Sequence, residues 1–289
     1  MPPPARRLRE RVIERLLFAN GLLVILVVLL IGVFLFWFGL PVFRFTSVAA
    51  FFGPGWYPLS GRYGTLPLIL GSLLVTAVAM AIALPLGLAG AIYLAEVAPR
   101  RLREVLKPLV ELLAAIPSVV IGFVGLVLLV PLVKDLFGLD TGLTALTGGV
   151  ALAFMALPTV VSIGEDAIVA VPQAYREGSL ALGATRLQTI LGVVVPAARG
   201  GLAAAVMLGL GRAIGETMAV LMLTGNAALL PHSIFQPVRT MTATLAVEMG
   251  ETVPGSSHYY ALFMVGAVLF TITFLVNLAA DLAARRSRP

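Results

Sequence analysis

Hydrophobic and polar positions divide this chain into six apolar stretches separated by shorter polar ones. The apolar stretches cover about residues 16–40, 66–95, 109–133, 143–163, 193–223 and 259–280. A helix needs roughly 20 apolar residues to cross the hydrocarbon core of a bilayer, so each stretch is long enough to span it. The first is too long for the core of a secretory signal, about 7–15 residues, and no small-residue cleavage site follows it. It reads as an uncleaved first helix. Pro85 is expected to kink the second span and Ile116-Pro117-Ser118 to interrupt the third, while Pro158 falls in the fourth. Neighbouring helices can satisfy the carbonyl that a proline frees. Residues 41–64 carry Phe51, Phe52, Trp56, Tyr57 and Tyr63 among Gly and Pro, which predicts a loop on the membrane interface, where aromatic rings settle.

Composition agrees. Of 289 residues, 60% are hydrophobic and 12% charged, and the mean hydropathy is +1.03. Ordinary soluble domains carry about 25% charged residues. The expected fold is an all-α polytopic membrane protein with about six transmembrane helices. The net charge of +6 is no sign of a nucleic-acid partner, because the basic residues cluster beside the spans. Only Arg44, Arg62, Lys134 and Arg239 fall on one side of the implied topology, and Arg212 falls inside a span. The rest lie on the other side, which the positive-inside rule makes cytoplasmic, along with both termini. The organisation read from this is a basic arm, first helix and external loop over 1–64, a core over 65–284, and a basic tail over 285–289. Cysteine is absent, which excludes disulfides and thiolate metal sites.

The 172–196 segment, PQAYREGSLALGATRLQTILGVVVP, is polar between two spans. Pro172 suits a helix start. Residues 173–182 are expected to be helical, with Gly183 supplying the left-handed residue that ends the helix. Thr185 with Gln188 matches a capping box for a second helix, which runs on until Pro196 disturbs it. The segment therefore predicts helix, glycine turn, helix: either a docking element or a plain connection.

Arg212 and Glu216 stand inside the fifth apolar stretch, four residues apart and so on one face of a helix. Ionisable residues at such a depth mark substrate paths, although a structural ion pair is the alternative. The arginine fork fits carboxylate and phosphate oxygens, which favours an anionic substrate. Thr217 adds a hydroxyl beside the pair. Gly211 and Gly215, also four apart, read as a helix-packing feature. His232 and His258 show no metal-ligand spacing and read as isolated surface or interfacial residues. Ser47, Ser60 and Ser118 lack a nearby base, which leaves a membrane hydrolase unsupported. Residues 240–249 read as a short amphipathic helix facing an external partner or as a gate-covering loop. Asn277 reads as a bond across helices or as a residue near the end of its span.

Glu177-Gly178-Ser179, three residues, Gly183, nine residues, then Val193-Val194-Val195-Pro196 resembles the EAA loop of ABC-importer permeases. In that family the loop docks into a groove on the ATPase subunit, which the resemblance assigns to Glu177, Gly178, Ser179, Gly183 and Pro196. The chain itself has no P-loop: neither lysine, Lys107 nor Lys134, follows a glycine. ATP and Mg would belong to the partner ATPase, with no cofactor in this chain.

The run Leu208-Gly209-Leu210-Gly211-Arg212-Ala213-Ile214-Gly215-Glu216-Thr217-Met218-Ala219-Val220 looks like the signature of permeases of the phosphate-specific (Pst) importers. Residues 237–244 and 248–251, with Ala114-Ala115-Ile116-Pro117-Ser118, are similar to its PstC branch more than to PstA. The resemblance implies a type I (MetI-like) permease, not an enzyme, supplying half of a phosphate pathway in a bacterial or archaeal cytoplasmic membrane. It implies Arg212 and Glu216 on that path, a PstA-like permease, two PstB-like ATPase subunits and a PstS-like binding protein. An importer for molybdate or sulfate is the first alternative. A passive anion channel or secondary carrier is the second, opposed by the docking-like loop.

Overall fold

The computed structural model describes residues 4–286, with Met1–Pro3 and the end of the basic tail, 287–289, lying outside the described residues. The helices in order are α1 (Pro4–Gly39), α2 (Val48–Phe51), α3 (Leu66–Ile92), α4 (Arg100–Ala114), α5 (Ser118–Phe137), α6 (Ala145–Val169), α7 (Gln173–Ala181), α8 (Arg186–Thr189), α9 (Val195–Gly215), α10 (Met218–Leu223), α11 (Met241–Glu248) and α12 (Ser257–Arg286). Six helices among the described residues are long and apolar enough to cross a membrane: Ile13–Arg44, Leu66–Val97, Ser118–Phe137, Ala145–Val169, Arg186–Gly215 and Ser257–Ala279. We call the end of the bundle that carries residues 172–196 the near end and the opposite one the far end.

Two spans break inside their expected limits. The third was expected over 109–133, with its interruption inside it. Instead α4 is a separate, strongly amphipathic helix, and the crossing helix α5 begins only at Ser118 and ends at Gly138, which is left-handed at φ 61°. Proline disfavours helical backbone at the residue before it, and Pro117 itself is extended at ψ 136°, so the chain turns there. The fifth span stops at Gly215, well short of 223: Glu216 is extended at ψ 136°, and α10 starts as a new helix. Pro85 and Pro158 stay within α3 and α6 without ending them.

The core of the bundle is α6, packed against α3 on one side and α9 on the other. Close approach is bought with glycine. A Cβ at Gly87 of α3 would lie 2.7 Å from Val160, and one at Gly209 of α9 would lie 2.6 Å from the same side chain. Small residues at helix contacts are how membrane helices pack without a hydrophobic driving force. Gly211 and Gly215, the expected packing pair, meet no helix closely within this chain: a Cβ at Gly211 reaches only Asn277 Oδ1, at 4.0 Å, and one at Gly215 meets nothing. Helix α1 rests on α12 through Phe34 and Phe38 against Phe263, and most of its apolar surface is uncovered by the rest of the chain.

The far end is capped. Residues 41–64, expected as a loop, carry short regular elements. They fold into a 3₁₀ turn (Leu40–Arg44), α2 and a two-residue hairpin, β1 (Trp56–Tyr57) with β2 (Arg62–Tyr63), and bury Phe51, Trp56 and Tyr63 while leaving Phe52 and Tyr57 exposed. A carboxylate that sequence reasoning had given no role, Glu248, gathers this cap. It accepts from Trp56 Nε1 at 3.1 Å, Arg239 Nη1 at 2.7 Å and His258 Nε2 at 2.8 Å. His258 is thus no isolated histidine; it also stacks on Tyr63. Helix α11, expected as a short helix or a covering loop, is a helix packed on α12 and α3. Its first turn is buried from Met241 to Thr244, with Met241 N–H donating to Ser72 Oγ of α3 at 2.9 Å.

Candidate functional site

The near-end segment folds as its residue pattern requires. Helix α7 ends at Leu182, Gly183 takes φ +87°, and Thr185 caps α8 through a reciprocal capping box with Gln188. The helix then continues through a wide π turn, Ile190–Val194, into α9, where Pro196 sits in the first turn. Proline has no N–H to donate, and the wider turn before it accommodates that loss. Glu177, Gly178 and Gly183 are exposed, and a Cβ at either glycine would meet nothing. Ser179 Oγ lies 3.0 Å from Thr189 Oγ1, which ties α7 to α8. Helix α7 buries none of its residues, as a surface awaiting a partner would not.

Arg212 and Glu216 are not an ion pair. The helix ends between them, so the four-residue spacing no longer places them on one face. Arg212 Nη2 donates to the carbonyl of Ala114, 3.2 Å away, at the C-terminus of α4, where the helix dipole is negative. Glu216 turns the other way: its Oε1 accepts from the N–H groups of Met218 (3.1 Å) and Ala219 (3.3 Å) at the start of α10. Its backbone carbonyl accepts from Thr242 Oγ1 of α11 at 2.8 Å. Thr217 Oγ1 donates back to Gly215 at 3.3 Å. All three residues are half-buried.

Two helix interruptions therefore flank the charges: 115–117 beside Arg212, and 216–217 at Glu216. Broken helices are tolerated at membrane depth where they line a cavity or a path, because their exposed peptide groups there find ligands or water. Arg212 makes no ion pair among the described residues, which leaves a guanidinium with one backbone acceptor next to two helix ends. The sequence held this signal in Ile116-Pro117 and Gly215-Glu216, but only the fold brings the two breaks together.

A second charged cluster fixes α4. Glu165 of α6 is fully buried and accepts from Arg103 Nη2 and, at 2.6 Å, from Lys107 Nζ, which also reaches Asp166 Oδ1 at 2.6 Å. The bond to Asp166, with that to Glu165, holds the Lys107 ammonium above its ordinary value of 10.5.

Fold and site together define a polytopic helical membrane protein: six candidate spans, an exposed near-end helix–turn–helix, and a charged break in the fifth span. The chain belongs to the family described as binding-protein-dependent transport system inner membrane component, whose model matches residues 84–289. It is an ABC importer permease subunit, and the ATPase of such transporters is a separate subunit. It is 46% identical over 234 residues, 80% of this chain and 76% of the relative, to the probable ABC transporter permease protein YqgH of Bacillus subtilis. It is 38% identical over 259 residues (83% and 78%) to the phosphate transport system permease protein PstC of Mesorhizobium japonicum. Among solved structures, a MetNI methionine ABC transporter in an inward-facing form matches with a TM-score of 0.62 at 20% identity, covering 81% of this chain and 100% of that one. A bacterial alginate ABC transporter in complex with its pentasaccharide-bound periplasmic protein matches at 0.63 and 17% identity, covering 96% of each. These two likenesses concern the fold.

Proposed function

We propose that this chain forms half of the pathway for inorganic phosphate in an ATP-driven importer of a bacterial or archaeal cytoplasmic membrane. It pairs with a PstA-like permease, two PstB-like ATPase subunits that bind ATP and Mg, and a PstS-like phosphate-binding protein. The near end faces the cytoplasm, and α7 with the Gly183 turn is the ATPase dock, with Glu177, Gly178 and Ser179 on its surface and Pro196 leading into the fifth span. One observation carries the substrate class: Arg212 sits in a span with no carboxylate paired to it among the described residues, so a passing oxyanion supplies the missing charge. A fixed guanidinium binds phosphate oxygens in a fork that fits them. The PstC-named relatives favour phosphate among oxyanions.

The test is uptake of labelled phosphate by the reconstituted complex carrying Arg212→Gln. Glu216 is capped by backbone and not by Arg212, so this change leaves no stranded carboxylate and the complex should assemble. Uptake should drop at least tenfold, about 1.4 kcal/mol or more of lost transition-state binding. Adding Glu216→Gln should restore nothing. Uptake near the wild-type rate in the Arg212→Gln complex refutes the path. Competition by molybdate or sulfate, with no phosphate transport, would move the substrate to another oxyanion.

A further inference from the structure

Helix α7 buries no residue, yet it is the element proposed to receive the stroke of the ATPase. Cavities of about 640 Å³ and 430 Å³ lie against it, the larger lined by Glu96, Arg176 and Arg186 and the smaller by Pro172 and Tyr175. Packing therefore joins α7 only weakly to the helices beneath it. Polar bonds make that connection.

Arg176, on α7, makes four of them. Its Nε and Nη2 both donate to Glu96 Oε1, at 2.9 Å and 2.6 Å. Its Nη1 donates to the carbonyl of Val171 at 2.6 Å and its Nη2 to that of Ile168 at 2.9 Å, both at the C-terminal end of α6. Glu96 lies in the π turn Tyr93–Val97 that ends the third helix, and its side chain is only 10% exposed. Arg186, on α8, donates to the backbone carbonyl of the same Glu96 at 2.8 Å. Both limbs of the helix–turn–helix are thus fastened to one residue at the end of α3, and the first limb also to the end of α6. Helices α3 and α6 pack together along their length, and α6 packs on α9, which carries Arg212.

We propose that Arg176 is a positioning residue of transport: with Glu96 as its anchor, it is the strut that passes the movement of the coupling helix to the α3–α6 pair. This rests on the reading of α7 as the ATPase dock. A planar fork with four bonds resists rotation and translation of α7 together, whereas a lysine ammonium holds one point. If the strut only stabilised the fold, loosening it would lower the amount of active complex but not the efficiency of each cycle.

The experiment measures, in proteoliposomes, phosphate moved per ATP hydrolysed, the KM for phosphate delivered on its binding protein, and ATPase retained on purification. It compares the wild-type complex with Arg176→Lys and Glu96→Gln. Both variants should retain the ATPase and the KM. Phosphate moved per ATP should fall about tenfold, the size of one lost charge-assisted hydrogen bond. If Arg176→Lys fails to accumulate, Glu96→Gln, which leaves the two α6 carbonyl bonds in place, gives the same readout. A coupling ratio equal to wild type in either variant, with uptake and hydrolysis unchanged or falling together, overturns the strut. Loss of the ATPase from the wild-type chain itself overturns the docking reading, and the strut with it.

Discussion

Glu165 allows a prediction in which the size of the effect depends on which partner is removed. Its side chain is 1% exposed, whereas those of Arg103 and Lys107 are 33% and 30% exposed. Replacing Glu165 with Gln removes the buried charge, lets Arg103 regain water and leaves Lys107 with Asp166. The loss is two charge-assisted bonds less that rehydration, about 1–2 kcal/mol. Replacing Arg103 and Lys107 together with Leu leaves a buried carboxylate with no cation, which costs about 3–5 kcal/mol. The double variant should therefore be less stable than Glu165→Gln by about 2–3 kcal/mol. The assay is heating of the detergent-solubilised chain, followed by the monodisperse fraction on gel filtration, with roughly 3 °C expected per kcal/mol. A Glu165→Gln variant as unstable as the double would show that the carboxylate is not the costly member of the cluster.

The remaining predictions probe other links. The raised Lys107 ammonium contributes stability that is complete below its unfolded value of 10.5 and is lost only as pH climbs through the higher folded value, so wild-type melting should owe no change to it between pH 7 and pH 9. Gly183→Ala should cost about 1 kcal/mol and Gly183→Val more, from the φ of +87° alone since no atom obstructs a side chain, and both should weaken ATPase retention on purification. Gly209→Ala should cost about 1–3 kcal/mol through its contact with Val160, and adding Val160→Ala should recover most of it in the same melting assay. In this cysteine-free chain, Leu59→Cys at the far end should react with an impermeant maleimide in intact cells and Ala181→Cys on α7 should not; the reverse pattern inverts the topology.

Features set by local chemistry were legible in the sequence. The six spans follow from run length, the Gly183 turn from the need for positive φ, and the Thr185–Gln188 box from two residue types three apart. What escaped the sequence depended on contacts made far along the chain. Spacing placed Arg212 and Glu216 on one face because it assumed an unbroken helix, and it gave no sign that Ala114 and Thr242 would supply their surroundings. The aromatics of 41–64 suggested an interface, but Glu248 and the first turn of α11 turn Trp56 and Tyr63 inward. His258 looked isolated because its partners, Glu248 and Tyr63, are 10 and 195 positions away. Glu96 and Arg176 carry no motif of their own, and their meeting is visible only when the end of α3 stands beside α7.

Arg212 and Glu216 look, in sequence, like a pair whose charges cancel. In the fold each is held by the end of a helix, the cation by the negative end of α4 and the anion by the positive end of α10. A direct ion pair would have to be broken before either group met a substrate. Charges resting on helix ends are compensated only in part, because each end carries about half an elementary charge. The two interruptions, at 115–117 and 216–217, create those helix ends, so the breaks in the third and fifth apolar stretches are what hold Arg212 and Glu216 on separate backbone groups instead of on each other.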